Sequence, residues 1–332
     1  MHMKRPFIAA VVLLIFGVAY GVNRALQPQR LVGVSAPSVF HPPLAGASHA
    51  RQSVLYYSGQ TNDSRRRLLV AELQESKEVS ARQIDSEVLS ALPPSALSAQ
   101  QVDPDHVFYI AAEGSHGQTA VFASTRIDGE WQITEKPILR PGHFEEAGNK
   151  GIPWISVLPP DATNIKWRIW YIAPGYEGPS DIMIATSLDC HVWLTSGKTI
   201  SVRKVAESEE SVSVIPFGDG LQAWLVRRNL STGSTQLLTA PVDSMDGRLI
   251  GIPEPVAWQA PKDWREGLPK DNIPIIDARA DPMPDNPRHV RLLITYKGSD
   301  HKWRITVAEN FPVNGVYSPT VFSRQVKPVL AP

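Results

Sequence analysis

The sequence WRIWYIAPG at residues 167–175 is followed, after a short polar segment, by IMIATSLDCHVW at residues 182–193. Both runs are rich in β-branched and aromatic residues, and the segment between them contains Gly178 and Pro179. Apolar runs that flank turn-forming residues are typical of two antiparallel strands joined by a longer loop. Residues 167–193 are therefore predicted to form a β-hairpin.

Four further pairs of apolar runs have the same form. They are residues 54–59 with 67–73, 106–114 with 119–125, 221–228 with 235–240, and 290–298 with 303–309. The second copy contains FASTRIDGEW, which parallels IATSLDCHVW of the third copy in placing an Asp shortly before a Trp. Repeats of about 50 to 70 residues, each a few strands long, are typical of β-propellers. The chain is predicted to be an all-β, five-bladed β-propeller of four-stranded antiparallel blades.

A further apolar run precedes four of the hairpins. In a four-stranded blade this run would be the innermost strand, which lines the central channel. The runs are residues 36–40, 152–158, 211–215 and 273–278, and the second blade has no clear equivalent. The segment EKPILRP at residues 135–141 recurs as VKPVLAP at residues 326–332, and this terminal copy is predicted to help close the ring between the last and first blades.

Composition excludes several classes of function. Lys and Arg together number 33, as do Asp and Glu, so the formal net charge is zero and no nucleic-acid partner is predicted. The single cysteine, Cys190, excludes an intrachain disulfide. No metal site and no cofactor are predicted, because the histidines lack ligand spacing and no nucleotide-binding fingerprint is present.

The N-terminus carries Lys4 and Arg5, followed by an almost unbroken apolar run at residues 6–22. This pattern predicts an apolar anchor helix at residues 1–24, with the rest of the chain outside the cytoplasm, in the periplasm or the extracellular space. The alternative is a signal peptide, whose cleavage would release a secreted protein. Residues 25–34 are predicted to be a linker and residues 35–332 the propeller, associated with the cell envelope through the membrane segment.

The sequence resembles the five-bladed propeller glycosidases, the superfamily that contains glycoside hydrolase families 43, 32 and 130. The resemblance rests on the hairpin at residues 167–193 and on the weaker copy that ends at Trp131, and it extends over about residues 35–332. It implies an oligo- or polysaccharide partner and acidic residues on the inner strands. Glycoside hydrolysis uses one carboxyl group as general acid and a second as base or nucleophile on the opposite face of the sugar.

The resemblance directs attention to acidic residues at the starts of the inner strands. The candidate catalytic residues are Glu146, Glu210 and Asp277. The candidate substrate-binding residues are Glu145, Trp154, Glu209 and Asp271. Trp154 is included because an aromatic ring offers an apolar platform for a sugar face.

One position departs from the family pattern. Family 43 begins its first blade with an Asp-Pro that supplies the general base, whereas this sequence has Ala36-Pro37 at the matching place. Two hypotheses therefore stay open. One is a glycoside hydrolase-like enzyme; the other is a non-catalytic propeller that binds a glycan or acts as a scaffold for envelope proteins. The basic cluster Arg65-Arg66-Arg67 is predicted to be a solvated hairpin tip.

Overall fold

The computed structural model describes most of the chain from residue 31 onward. The described ranges are 31–42, 53–61, 66–75, 79–84, 87–90, 92–113, 118–140, 151–174, 178–257, 274–283, 286–298, 300–324 and 329–330. The predicted anchor helix lies outside these ranges and stays a prediction. Within them, no helix is long and apolar enough to cross a membrane.

The described strands form five four-stranded antiparallel sheets, and each sheet consists of four consecutive strands. Blade 1 contains β1 (Leu31–Phe40), β2 (Ser53–Thr61), β3 (Arg66–Glu75) and β4 (Val79–Gln83). Blade 2 follows a single helical turn, α1 (Glu87–Ser90), and contains β5 (Ala96–Asp103), β6 (His106–Glu113), β7 (Gln118–Ile127) and β8 (Glu130–Ile133). Blade 3 contains β9 (Ile155–Leu158), β10 (Trp167–Ala173), β11 (Asp181–Ser187) and β12 (Leu194–Thr195).

Blade 4 contains β13 (Glu207–Phe217), β14 (Gly220–Asn229), β15 (Thr235–Val242) and β16 (Glu254–Pro255). Blade 5 contains β17 (Ile275–Pro282), β18 (Val290–Lys297), β19 (Trp303–Val313) and β20 (Val316–Arg324). The prediction of an all-β, five-bladed propeller of four-stranded blades is confirmed. All five predicted hairpins are present, as the second and third strands of the blades.

The first strand of each blade is the innermost one, and these five strands lie side by side in a ring. They run in the same direction, because the residue numbers of contacting partners rise together. Ala36 of β1 and His41, which directly follows β1, contact Asp277 and Asp281 of β17, in that order. We call the end of the ring at which the inner strands begin the channel mouth.

Packing between blades explains why the central hairpins are apolar on both faces. All seven residues of β10 are buried. Trp170 packs in the cluster shared with blade 4, whereas Tyr171 packs in the cluster shared with blade 2. A strand covered on both faces shows a continuous apolar run instead of the alternation of a half-buried strand.

The inner strand of blade 2, β5, has the sequence ALSAQQVD and is not apparent from an apolar pattern. Its buried residues are small or polar. Ala96 and Ala99 are buried, and Gln101 accepts a hydrogen bond of 2.6 Å from the Tyr56 hydroxyl of blade 1. Close packing around small side chains and a buried hydrogen bond therefore replace the large apolar residues that would mark such a strand.

Short polar side chains join neighbouring inner strands. The Ser211 and Ser213 hydroxyls accept hydrogen bonds from the backbone N–H groups of Ala278 and Ala280, at 3.2 and 3.0 Å. Ser156 accepts a bond of 2.9 Å from the N–H of Val214 in the same way. Backbone donors on the inner edges are thus satisfied across the blade boundaries, where burial would otherwise make them costly.

The two copies of the repeated segment have equivalent places in their own blades. Leu139 forms a bridge to Val121 of β7, and Leu330 forms one to Ile305 of β19. The terminal copy also contributes Val329 to the apolar cluster between blades 5 and 1. It therefore takes part in ring closure through packing, while blades 1 and 5 each retain four consecutive strands.

A chain of buried polar groups also crosses the junction between blades 5 and 1. The Asp281 carboxylate contacts His41 Nε2 at 2.7 Å and accepts a hydrogen bond of 3.0 Å from Arg291 Nε. The other ring nitrogen of His41 lies 2.7 Å from the Ser53 hydroxyl oxygen. Asp281 and Arg291 are almost fully buried, so this ion pair is shielded from solvent.

Candidate functional site at the central channel

The side chain of Arg279 crosses the central channel from blade 5. Its guanidinium donates hydrogen bonds to the Pro37 carbonyl at 3.4 Å, to Gln100 Oε1 at 3.1 Å and to the Ile155 carbonyl at 2.6 Å. These acceptors belong to β1, β5 and β9, so one side chain connects four of the five blades. Arg279 is only 6% exposed, and it closes the channel at this level.

Among the described residues, no carboxylate is hydrogen-bonded to Arg279. The guanidinium carbon lies 4.5 Å from the centre of the Trp154 ring, in a cation–π contact. Burial lowers the pKa of Arg279 to about 9, while the nearby Asp277 opposes this change. The side chain therefore stays charged at neutral pH and places a positive charge on the channel axis.

Asp277 lies near the start of β17, two residues before Arg279. Its Oδ2 accepts a hydrogen bond of 3.0 Å from the backbone N–H of Ala36, and its Oδ1 has no hydrogen-bond partner among the described residues. Burial raises the pKa of Asp277 to about 6, against the lowering effects of Thr295, the Ala36 N–H and Arg279. Asp277 is the candidate catalytic residue that the structure places directly at the channel.

Ala36 stands at the position where the resemblance implies a carboxylate, and its backbone N–H donates a hydrogen bond to Asp277. Its φ angle is 52°, which lies in the left-handed region that non-glycine residues seldom adopt. The residue lies within a bulge of β1, between Ser35 and Ser38. The bulge turns the N–H of Ala36 toward Asp277, since a bulge re-aims the groups of a strand locally.

Glu209 and Glu210, the two candidate site residues of β13, are both paired with arginines of β14. Glu209 accepts hydrogen bonds from Arg227 at 2.6 and 3.1 Å, and its second oxygen is buried with no hydrogen-bond partner among the described residues. Glu210 lies 3.2 Å from Arg228 and is partly exposed. Burial raises the pKa of each glutamate, and the positive charge of the arginine paired with it opposes this increase. Sequence reasoning did not predict these arginine partners.

Trp154 packs in the apolar cluster between blades 3 and 4 and contacts Arg279. Its indole N–H donates a hydrogen bond of 2.6 Å to the Val212 carbonyl, and Arg279 covers one face of its ring. It is 4% exposed, so its role in sugar binding stays a prediction that requires Arg279 to move. Glu145, Glu146 and Asp271 lie outside the described residues, and their proposed roles stay predictions.

Sequence reasoning missed Arg279 and Gln100, although one signal was present. Residues 277–281 read DARAD, with charged side chains at every second position of an inner strand. Alternate residues of a strand share a face, so three charged groups point toward blade 1. Gln100 carried no comparable signal, because its role is to bind both the N–H and the carbonyl of Val157.

A cavity of about 630 Å³ lies between blades 1 and 2. Its lining residues are Arg66, Arg67, Leu68, Leu89, Leu92, Pro93, Pro94 and Ala96. We call this cavity the blade 1–2 pocket. Arg66 lies opposite Gln60 at the end of β2, and the next residue of β2, Thr61, lies opposite Leu31 at the start of β1. The pocket therefore lies on the same face of the propeller as the channel mouth.

Comparison with solved structures supports the architecture. A thermostable family-43 glycoside hydrolase matches with a TM-score of 0.56 at 12% identity, over 89% of this chain and 96% of that one. A glycosyl hydrolase from Bacteroides ovatus gives 0.55 at 13% identity, over 88% of each chain. The chain shares the five-bladed propeller fold of these enzymes.

A third match is a family-32 β-fructofuranosidase from Bombyx mori in complex with sucrose. It has a TM-score of 0.57 at 10% identity, over 87% of this chain and 62% of that one. No family model and no curated protein matches the sequence. At these identities the comparison shows the fold, and the chemistry has to be argued from the residues of this chain.

The raised pKa of Asp277 predicts a specific pH dependence of stability. The unfolded Asp releases its proton near pH 3.8, whereas the folded protein retains it up to about pH 6. The folded state therefore binds more protons in this window, and Asp277 makes stability fall as pH rises through it. Asp277→Asn should remove this loss, which amounts to about 3 kcal/mol in the free energy of unfolding between pH 3.8 and 6.

The measurement is denaturant unfolding of wild type and Asp277→Asn between pH 4 and 7. Asp300→Asn is a matched control: a hydrogen bond from Arg304 lowers the pKa of Asp300, so its contribution to the pH dependence lies below pH 3.8 and the substitution should leave the profile between pH 4 and 7 unchanged. Equal pH profiles for wild type and Asp277→Asn would show that Asp277 is not buried as described.

Proposed function

We propose that this chain is a carbohydrate-binding propeller with the glycoside hydrolase fold, which holds a glycan at the channel mouth without cleaving it. The observation that carries the proposal is the hydrogen-bonded position of Arg279 across the channel. The guanidinium occupies the axis toward which the acidic residues of a hydrolytic propeller converge. A glycan can then lie over the mouth, where the propeller presents polar groups from several blades.

The state of the channel carboxylates supports binding over hydrolysis. Hydrolysis needs two carboxyl groups roughly 5 to 10 Å apart, one protonated and one ionised, on opposite faces of the bond. At position 36 the side chain is a methyl group, and Glu209 and Glu210 are each engaged by an arginine. Asp277 is buried and bound to the backbone N–H of Ala36, so its carboxyl group is not open to a substrate resting on the mouth.

The proposal is tested by measuring binding and turnover on the same preparation. The purified protein is screened against a panel of neutral and acidic oligosaccharides by calorimetry, and the same mixtures are analysed for new reducing ends. We expect saturable binding of at least one glycan with no product. If none of the oligosaccharides binds, glycan binding is refuted. If product forms, the non-hydrolytic part of the proposal is refuted.

A second candidate function is favoured by the chemistry of Asp277. A carboxyl group with a pKa near 6 and an unbonded oxygen is suited to act as a general acid near neutral pH. In that case Arg279 would move on substrate binding, and Asp277, Glu146 and Glu210 would carry the reaction. Any turnover found in the screen should then be lost in Asp277→Asn.

The cellular location is also part of the proposal. The basic residues and apolar run at the N-terminus support a propeller held at the outer side of a membrane, where it would meet polysaccharides and other envelope proteins. Fractionation of cells that express the full chain, compared with a chain lacking residues 1–24, tests this. A full-length protein found in the cytoplasmic fraction would contradict it.

A further inference from the structure

We propose that the blade 1–2 pocket binds a negatively charged sugar unit, carrying a carboxylate or a sulfate ester, through Arg66 and Arg67. This inference rests on the proposed function, because it names the class of glycan that the mouth would hold. The sequence pattern predicted these arginines to be a solvated hairpin tip. In the structure they are exposed to solvent, as predicted, but they also form one wall of a cavity.

The first step of the argument is the shape of the pocket. Its volume of about 630 Å³ lies within the range of roughly 300 to 1,000 Å³ that is usual for small-molecule sites. Leu68, Leu92 and Ala96 form a buried apolar floor, and Pro93 and Pro94 form part of the rim. Pro fixes the backbone locally, so this rim is pre-shaped.

The second step is the charge of the pocket. Among the described residues that line the pocket, the charged ones are Arg66 and Arg67, and none is a carboxylate. Within the part of the chain that the structure describes, neither Arg66 nor Arg67 forms an ion pair. Two arginines beside an apolar floor create a positive potential there, and an anionic ligand would balance it.

The third step is the position of the pocket relative to the channel. Arg66 is near enough to Asp277 for its charge to lower the pKa of that carboxyl group, against the larger effect of burial. The pocket and the channel mouth are therefore neighbouring parts of one face. A glycan bound at the mouth can extend one of its units into the pocket without leaving the surface.

The fourth step is the match between ligand and side chain. A guanidinium group presents a planar fork of N–H donors that fits the oxygens of a carboxylate or a sulfate in a bidentate manner. The leucine and proline side chains offer apolar contact to the C–H face of a sugar ring. A neutral sugar would use only the second feature, whereas an anionic sugar would use both.

The test compares charged probes with their neutralised forms on the full-length protein. The probes are tetragalacturonate and its methyl ester, a sulfated galactan tetrasaccharide and its desulfated form, and inorganic sulfate alone. Calorimetry on wild type should show that at least one charged tetrasaccharide binds at least about tenfold more tightly than its neutral form, as hydrogen bonds to charged groups imply. The preference should shrink as salt is raised, because ions screen exposed charges.

Variants then assign the preference to the pocket. Arg66→Gln and Arg67→Gln should each abolish most of the preference for the charged tetrasaccharide, whereas Arg66→Lys should retain part of this preference. Arg82→Gln is the matched control, since Arg82 is an exposed arginine on β4 of the same blade and does not line the pocket. Equal loss in Arg82→Gln would indicate a general charge effect and overturn the inference.

The outcomes separate this inference from the proposed function. If charged and neutral tetrasaccharides bind equally well, the inference is overturned while glycan binding stands. If only neutral glycans of the screening panel bind, the inference is likewise overturned and glycan binding likewise stands. Binding of inorganic sulfate as tight as that of the sulfated tetrasaccharide would show that the pocket recognises an anion alone, which overturns the assignment to a sugar.

Discussion

Replacement of Arg279 by alanine should lower the free energy of unfolding by about 3 to 5 kcal/mol, because several buried hydrogen-bond acceptors lose their donor at once, at about 1 to 3 kcal/mol each. Three reasons combine. Gln100 and the carbonyls of Pro37 and Ile155 lose a donor, Trp154 loses the cation above its ring, and the buried Asp277 loses a nearby positive charge. Buried acceptors that lose their donors are costly because no water replaces them.

The experiment is denaturant unfolding of wild type, Arg279→Ala and Arg228→Ala at neutral pH. Arg228 is the control, because it also pairs with an acidic residue of an inner strand but its side chain is 42% exposed. Its removal should cost less than about 1 kcal/mol, as is usual for exposed pairs. Arg279→Lys should fall between the two, since one ammonium group cannot reproduce a planar fork that reaches three blades. A cost for Arg279→Ala no larger than that of the control would show that the guanidinium does not join the blades.

Replacement of Asp281 by alanine should be similarly destabilising, by about 3 to 5 kcal/mol. Asp281 is the carboxylate between His41 and Arg291, and both Asp281 and the Arg291 side chain are almost fully shielded from water. Removal of the carboxylate takes a buried ion-pair partner from the Arg291 guanidinium, and it also removes the contact with His41 across the junction of blades 5 and 1. Because this junction closes the ring, its loss should favour opening between the terminal blades.

Asp300→Ala provides the matched comparison. Asp300 also pairs with an arginine of blade 5, Arg304, at 2.7 Å, but its side chain is 41% exposed. We expect a loss below about 1 kcal/mol for this exposed pair. Hydrogen exchange should further show faster exchange in β1 and β17 of Asp281→Ala than in the control. Equal effects of the two substitutions would mean that Asp281 does not hold the junction.

The parts of the fold that were predicted from the sequence are the strands whose packing requires large apolar residues. The second and third strands of every blade lie between two neighbouring blades, and their runs of β-branched and aromatic residues are visible without a structure. The innermost strands were predicted less well because their environment is crowded and polar. β5 is the clearest example, since Ala96, Ala99 and Gln101 carry no apolar period.

The candidate site could be predicted only in part, for a different reason. Asp277 was chosen because an acidic residue on an apolar inner strand needs a partner, and the structure supplies one in the N–H of Ala36. These residues are 241 positions apart, and no local pattern connects them. The contact of Arg279 with three other blades is equally long in range, so it depends on the closed ring and not on the sequence around it.

The residues on which the proposed function depends lie in the channel. In this protein a guanidinium occupies the axis, a methyl group stands at position 36, and the blade 4 carboxylates are held by arginines. The same fold can hold different sites, because the blades provide the frame and the inner residues provide the chemistry.

The most direct test of this account is a paired measurement on wild-type protein and Asp277→Asn. Each is incubated with every glycan that binds in the screen, and new reducing ends are followed over several days beside the binding isotherm. The account predicts saturable binding by both proteins and no product from either. Product formed by the wild type and lost in Asp277→Asn would contradict it, and would assign the channel carboxylate to catalysis.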